Sequence, residues 1–384
     1  MAVIGRGMGS SRYVSGSYDQ PSSSVGCIQP TLGDQLSSRL TRLMRAFDKG
    51  SQIEEALRVA EVLTRGWRDQ ALLQAPGWPS DITDDHSPFE LSVAFDRASE
   101  TVRLLTEPQL AAAPSLRASW REALDIHETL SLSSNLDLSM FERVSDLFEP
   151  TVASKARFAI WHSAVMSQEH GLRVKVYLNP AIHGSDGARD VMHAALARLG
   201  LRSSWADVAT HALRRGGVDT FSFLGLDLHA GSDARIKVYV AHPHATSDEL
   251  VAALSAAGGF DATQVRAGCR ELLGGDGPFE RRAPLSCFAF RRGTEALHSA
   301  TLHLPVREYL SDDFEIARRV SQRLNLPQRV RYIRGLAAFC DRPLDAGPGL
   351  QTYVSLRASQ AWQAVTVYLA PELYRRALGT TETY

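Results

Sequence analysis

The sequence predicts an α+β fold of five ααββ units, whose ten strands suit an antiparallel up-and-down barrel with the helices outside. Three observations lead there. Helical sequence runs into a two-strand hairpin five times. The first strands of those hairpins begin near 88, 156, 220, 285 and 350, a mean period of about 65 residues. The strands alternate between a polar or aromatic face and an aliphatic one. If helices cover the aliphatic face, the polar face lines the interior and implies a solvated or ligand-filled lumen. Periodicity alone leaves a second arrangement open, a two-sheet sandwich with its polar face in solvent.

Residues 1–32 are rich in Ser and Gly and show no apolar period, so they are expected to be a disordered tail, with 33–384 as a single domain. Leu36, Leu40, Leu43 and Phe47, then Ile53, Leu57, Ala60 and Leu63, predict two helices broken near Gly50. They lead to strands at 88–95 (PFELSVAF) and 101–107 (TVRLLTE). Helical sequence over 115–148 precedes strands at 156–166 and 172–179, and that over 188–213 precedes 220–228 and 234–241. The last two units pair helical 247–273 with strands 285–291 and 298–306, and helical 312–339 with 350–357 and 364–370.

The balance of 42 basic against 43 acidic residues, a net charge of -1, argues against the broad positive field of a nucleic-acid binder. No apolar run is long enough to span a membrane, and the N-terminus lacks the apolar core of a secretory signal. Four cysteines, Cys27, Cys269, Cys287 and Cys340, lie far apart without a CxxC, as expected of reduced thiols in a cytoplasmic protein. Only Lys49, Lys155, Lys175 and Lys237 are lysines among the basic residues, the rest being arginines. Any lysine that survives such a bias is worth attention.

Two of the four, Lys175 and Lys237, occupy the same frame, R-V/I-K-V-Y, in RVKVYLN and ARIKVYVA. Alternation puts Arg173, Lys175 and Tyr177 on one face, and Arg235, Lys237 and Tyr239 on the equivalent face of another strand. An ammonium and a guanidinium two residues apart, repeated on a second strand, make a polydentate anion site with a phenol beyond each lysine. The competing explanation is a solvated face with cross-strand charge pairs, but neither motif carries acidic partners at matching positions. The HPH of His242 and His244, and the pairs Asp84-Asp85 and Asp312-Asp313, lack metal-ligand companions. No DDxxD is present, and GGDGP at 274–278 has none of the P-loop's Lys or Ser, so these segments read as loops.

With these motifs in view, the chain resembles the aromatic prenyltransferases of the dimethylallyl tryptophan synthase type, in particular their bacterial indole-prenylating branch, built on the ABBA (PT) barrel. The resemblance runs from about Thr83 to Tyr374. It rests on SPFELSVAF with VRLLTEP, RVKVYLNP, ARIKVYVAH, TLHLPVREY, and TYVSLR followed by VTVYLAPELY, in the family's order. It implies a dimethylallyl diphosphate co-substrate held by cationic side chains, with no obligatory cofactor and Mg²⁺ not essential. Arg103, Lys175, Arg235 and Lys237 match the diphosphate-binding positions, and Tyr177, Tyr239, Tyr353 and Tyr368 match a tyrosine shield around the allylic cation. An aromatic face stabilises such a cation without offering it a strong nucleophile. Glu90 matches the acidic residue that hydrogen-bonds the indole N–H.

The chain departs from the fungal pattern at three places. Thr301 and His303 stand where fungal relatives carry Gln or Lys and Tyr; His303 either contacts the diphosphate or simply lines the barrel, and Thr301 is placed with Trp161 in the acceptor pocket. His162 stands near the catalytic Lys of fungal members, thirteen residues before Lys175, and either deprotonates the alkylated intermediate or packs beside Trp161. The resemblance thus implies metal-independent, Friedel-Crafts-type transfer of a dimethylallyl group to the indole ring of tryptophan or a tryptophan-derived metabolite, in secondary metabolism such as alkaloid biosynthesis. The partners are then those two small molecules, with no nucleic acid or membrane, on a monomer or homodimer. Two alternatives remain: the same fold prenylating a tyrosine or phenol, and a noncatalytic barrel that binds an isoprenoid diphosphate and has no need of Glu90.

Overall fold

Strands whose two faces are both buried, one by helices and one by each other, close on themselves when their edges can pair. In the computed structural model, which describes residues 29–97, 99–133, 136–167, 171–258, 261–358 and 364–374, they do so. The first unit consists of helices α1 (Leu32–Ala46) and α2 (Ile53–Thr64) and strands β1 (Phe89–Phe95) and β2 (Glu100–Thr106). The second has α3 (Leu116–Ser133), a single turn α4 (Ser139–Glu142), β3 (Ile160–Ser167) and β4 (Gly171–Leu178). The third has α5 (Ala188–Arg198), α6 (Arg202–Ala212), β5 (Thr220–Asp227) and β6 (Arg235–Ala241). In the fourth, α7 (Ser247–Leu254) and α8 (Ala262–Leu273) precede β7 (Leu285–Arg291) and β8 (Leu297–Leu304). In the fifth, a one-turn α9 (Val306–Tyr309) leads to α10 (Asp313–Ser321), α11 (Leu326–Phe339), β9 (Gln351–Ala358) and β10 (Val365–Leu369).

Every strand pairs antiparallel with its chain neighbours, and β1 pairs with β10 in the register Leu91↔Leu369 and Val93↔Val367, which closes the barrel. That pairing excludes the sandwich. The predicted strands recur within a few residues, with two physical exceptions. Strand 156–166 starts only at Ile160, after a loop that Asn179 ties down by donating to the Phe158 carbonyl at 2.8 Å. The strand predicted to reach 306 stops at Leu304, because Pro305 has no N–H for the ladder and Val306 begins a helical turn.

Local sequence also sets the helix ends. Thr31 and Asp34 form a capping box that starts α1, as do Thr246 with Glu249 for α7 and Asn325 with Gln328 for α11. Residues 1–28 of the expected tail lie outside the described residues, whereas Thr31 and Leu32, assigned to that tail, cap and open the first helix. The apolar core is a shell between barrel and helices. Val174, Val176, Leu178, Ile236, Val238 and Val240 face it, each at most 3% exposed. Gly335 lets α11 approach α1: a Cβ there would lie 2.6 Å from the Phe47 ring. No helix among the described residues is long and apolar enough to cross a membrane.

Candidate active site

Because the aliphatic parity of each strand faces the helices, the other parity must face inward. Arg103 of β2, Ser163 of β3, Lys175 of β4, Asp227 of β5 and Lys237 of β6 therefore form one inner belt across neighbouring strands. The belt follows the pairings Arg103↔Val165, Ser163↔Lys175, Lys175↔Asp227 and Gly225↔Lys237. Gly225 matters here: the Tyr177 ring and the Lys237 stem lie about it, 3.4–3.5 Å from where a Cβ would stand. The two R-V/I-K-V-Y motifs are thus brought side by side with only one strand between them.

At the centre of the cations sits an acid that sequence reasoning missed. Asp227 is 3% exposed; its Oδ1 lies 3.4 Å from Lys175 Nζ, and its Oδ2 accepts from Arg235 Nε at 2.8 Å. Burial pushes its carboxyl up, but Lys175, Arg235 and Lys237 outweigh that and hold it below the usual carboxylate range. Burial lowers Lys175 well below an ordinary lysine even with Asp227 opposing, and burial with Arg235 brings Lys237 down to about 8. Arg103 contributes a buried Nε with no hydrogen-bond partner. Arg357 of β9, also unforeseen, belongs to the same group, since Arg103 and Arg235 add to burial in lowering its pKa. Arg173, by contrast, is engaged by Asp233 and His229 at the rim. Both Asp227 and Arg357 could have been found by carrying the alternation through TFSFLGLDL and TYVSLR.

Beyond the cations lies a continuous collar of rings. Trp161 and Phe223 are 5.2 Å apart between centroids, Phe223 and Tyr239 5.6 Å, and Tyr177 and Tyr239 5.9 Å. Next come Tyr239 with His303 at 5.5 Å, His303 with Tyr368 at 5.8 Å, and Tyr368 with Tyr353 at 6.4 Å. Most of these pairs are edge-on or tilted, as quadrupoles prefer. Burial raises all four tyrosines above an ordinary phenol, Tyr353 to about 12, so they stay neutral. Burial, with Lys237 and Arg103 nearby, brings His303 down to about 3, so it contributes a neutral ring and not a charge. Cys287, paired in register with Tyr239 and Thr301, is a buried thiol whose pKa is likewise raised by burial.

Glu90 closes the opposite end. It is 6% exposed, accepts a hydrogen bond from Thr352 Oγ1 at 2.7 Å, and is pushed up to about 8 by burial. Above it Asp84 bridges Arg282 and Arg307, while the Arg282 guanidinium lies 5.4 Å from the Tyr353 ring centroid. Asp84 is therefore a rim clasp and not a bare loop residue. Trp161 lies in the same lumen, stacked on Phe158 at 3.9 Å, with its indole Nε1 buried and unpartnered.

His162 does not share this space. It has the parity of Ile160 and Ala164, faces the helices, and its Nε2 is 2.9 Å from His127 Nε2 of α3, with both rings buried. Burial brings His127 down to about 4 and lowers His162 as well. The strand's two-residue period thus turns this ring away from the lumen and towards α3. His242 likewise lies outside the lumen, in a chain with Asp219 Oδ1 at 2.8 Å and Ser286 Oγ at 2.7 Å. That order of groups suits a nucleophilic triad, yet all three residues are at most 2% exposed, so they tie β5, β6 and β7 together and meet no substrate.

Residues 59–329 match the tryptophan dimethylallyltransferase family. A 6-dimethylallyltryptophan synthase from Micromonospora olivasterospora, solved in complex with DMASPP and Trp, is 32% identical, with a TM-score of 0.83 over 90% of this chain and 98% of that one. The 5-dimethylallyltryptophan synthase from Streptomyces coelicolor is 28% identical, with a TM-score of 0.81 over 91% and 99%. Among curated proteins, the 4-O-dimethylallyl-L-tyrosine synthase of Claviceps purpurea is 24% identical over 79% of this chain and 78% of its own.

Proposed function

The chain belongs to the tryptophan dimethylallyltransferase family, and on that premise we propose that it transfers a dimethylallyl group from dimethylallyl diphosphate to the indole ring of tryptophan or a tryptophan-derived compound. One observation carries the proposal furthest: Lys175 of one R-V/I-K-V-Y motif and Arg235 and Lys237 of the other meet in one lumen, next to a collar of neutral aromatic rings and opposite Glu90.

In this scheme Arg103, Lys175, Arg235 and Lys237, joined by Arg357, hold the diphosphate and stabilise the negative charge that grows as the allylic C–O bond breaks. That is the charge a divalent metal would otherwise neutralise, so the reaction needs no Mg²⁺. Tyr177, Tyr239, Tyr353 and Tyr368 face the allylic cation, each ring contributing roughly 0.5–2 kcal/mol. Their neutrality matters, because a phenolate or thiolate would capture the cation. An indole carbon or nitrogen attacks while Glu90 in its deprotonated form holds the ring N–H and takes up the released proton, a form that burial makes the major one only above about pH 8. Trp161 and Thr301 shape the acceptor's side of the lumen, and His303 hydrogen-bonds within the collar, where its Nδ1 lies 3.4 Å from the Tyr368 hydroxyl.

The test is diphosphate release from dimethylallyl diphosphate in EDTA with tryptophan, tryptophan dipeptides or tyrosine as acceptor, with products identified by mass. Transfer to indole compounds is expected; release without any alkylated product, or none at all, overturns the proposal. The Claviceps relative favours a second reading, transfer to a tyrosine hydroxyl, which the same assay scores directly. A cytoplasmic location, which the scattered cysteines support, and a monomeric or homodimeric state complete the proposal.

A further inference from the structure

Anion clamps are usually read as assemblies of cations, yet this one has a carboxylate at its centre. Among the described residues of the inner belt, Asp227 is the acid that Lys175, Arg235 and Lys237 flank. It contacts Lys175 and Arg235 directly, and its Oδ2 also accepts the Arg235 backbone N–H at 3.2 Å. With no anion bound, it offsets the mutual repulsion of the cations and holds two of them side by side. Once a diphosphate enters, it competes for those same two cations and repels the ligand.

We propose that Asp227 is a positioning residue that serves as the resident counter-ion of the clamp and drives release of inorganic diphosphate after transfer. This rests on the diphosphate role proposed above. Product and donor share the diphosphate group, but the product has lost its ester and carries an additional ionisable oxygen. A fixed carboxylate therefore opposes the product more than the donor. Without it, the site that best stabilises the leaving group would also retain it, and turnover would stall on release.

The experiment measures binding of inorganic diphosphate and of dimethylallyl thiolodiphosphate to the full chain, for wild type, Asp227→Asn and Asp227→Glu. Asp227→Asn is expected to bind inorganic diphosphate about tenfold or more tightly, with a smaller gain for the thiolodiphosphate, because one like charge is removed from a shielded site. It should also show a first turnover followed by a slow steady state. Asp227→Glu carries the charge one methylene further into the lumen and should shift the ratio the other way, weakening the product more than the donor. If Asp227 only braced the clamp, both variants would weaken both ligands, and that result overturns the inference. An unchanged ratio in Asp227→Glu overturns it even where Asp227→Asn does not fold. Wild-type protein that binds neither ligand refutes the clamp itself, whereas wild type that binds both while the variants keep its ratio refutes only the role of Asp227.

Discussion

Replacing Glu90 with Gln separates acceptor chemistry from donor binding. A shift from 4.5 to about 8 means that ionising this buried carboxyl costs roughly 5 kcal/mol more than in water. Below about pH 8 the group therefore carries its proton and donates or accepts weakly; above it, a carboxylate faces the lumen. With the donor saturating, wild-type kcat/KM for the acceptor should rise with pH through this region, because the deprotonated form orients the indole N–H and takes up the proton. Glu90→Gln keeps the shape and the Thr352 contact but not the titration. Its turnover should fall by roughly 10²–10³-fold, the range for one preorganised electrostatic contact. The rising limb should vanish, and affinity for dimethylallyl diphosphate should stay within about twofold. The assay is diphosphate release from pH 6 to 10 with a melting curve for each protein. A variant that retains the limb, turns over almost normally, or loses donor affinity alone would show that Glu90 has a different task.

Further outcomes follow from the same geometry. Lys175→Ala should weaken donor binding by about ten- to a hundredfold, the loss of one charge-assisted contact, measured by competition with the thiolodiphosphate. Since burial and Arg235 bring Lys237 down to about 8, donor affinity should fall as pH rises past that value, and Lys237→Arg, which stays charged, should flatten the dependence. His162→Leu should lower the melting temperature yet leave turnover within about threefold, because the ring faces the helices; loss of turnover in a folded variant would restore it as a catalytic candidate. Glu107, fully buried and raised by burial to about 7, binds its proton more tightly folded than unfolded, so its cost to stability grows as pH climbs from 4.5 to about 7 and stays level above that. Glu107→Gln should therefore stabilise the protein at pH 8, by up to roughly 3 kcal/mol, and not at pH 4; urea unfolding at the two values decides it.

The parts of the site visible in the chain were those with a local rhythm. Lys175 and Lys237 stood out because two strands repeat one alternating frame in a sequence otherwise poor in lysine. Counting the same alternation through β3 would have turned His162 outward, since it lies one residue from Trp161, which faces inward. Asp227 and Arg357 escaped because each lies in the last two residues of its strand, where alternation gives its face but no repeated motif marks it, and the cross-strand register supplies its neighbours. The absence of acidic partners within the two motifs was true of the motifs and untrue of the space around them.

Amphipathic period, capping boxes at Thr31, Thr246 and Asn325, and breakers such as Pro305 act over a few residues, and so the sequence by itself determined the five units, their ten strands and the polarity of each face. Closure was a different matter. A strand's alternation is the same in a sandwich and in a barrel, and only the pairing of β1 with β10, some 270 residues apart in the chain, makes the polar face an interior. Desolvation inside that interior then raises Glu90, lowers Lys237 and keeps the tyrosines neutral. These are collective properties of a closed, shielded lumen, and no local stretch of chain encodes them.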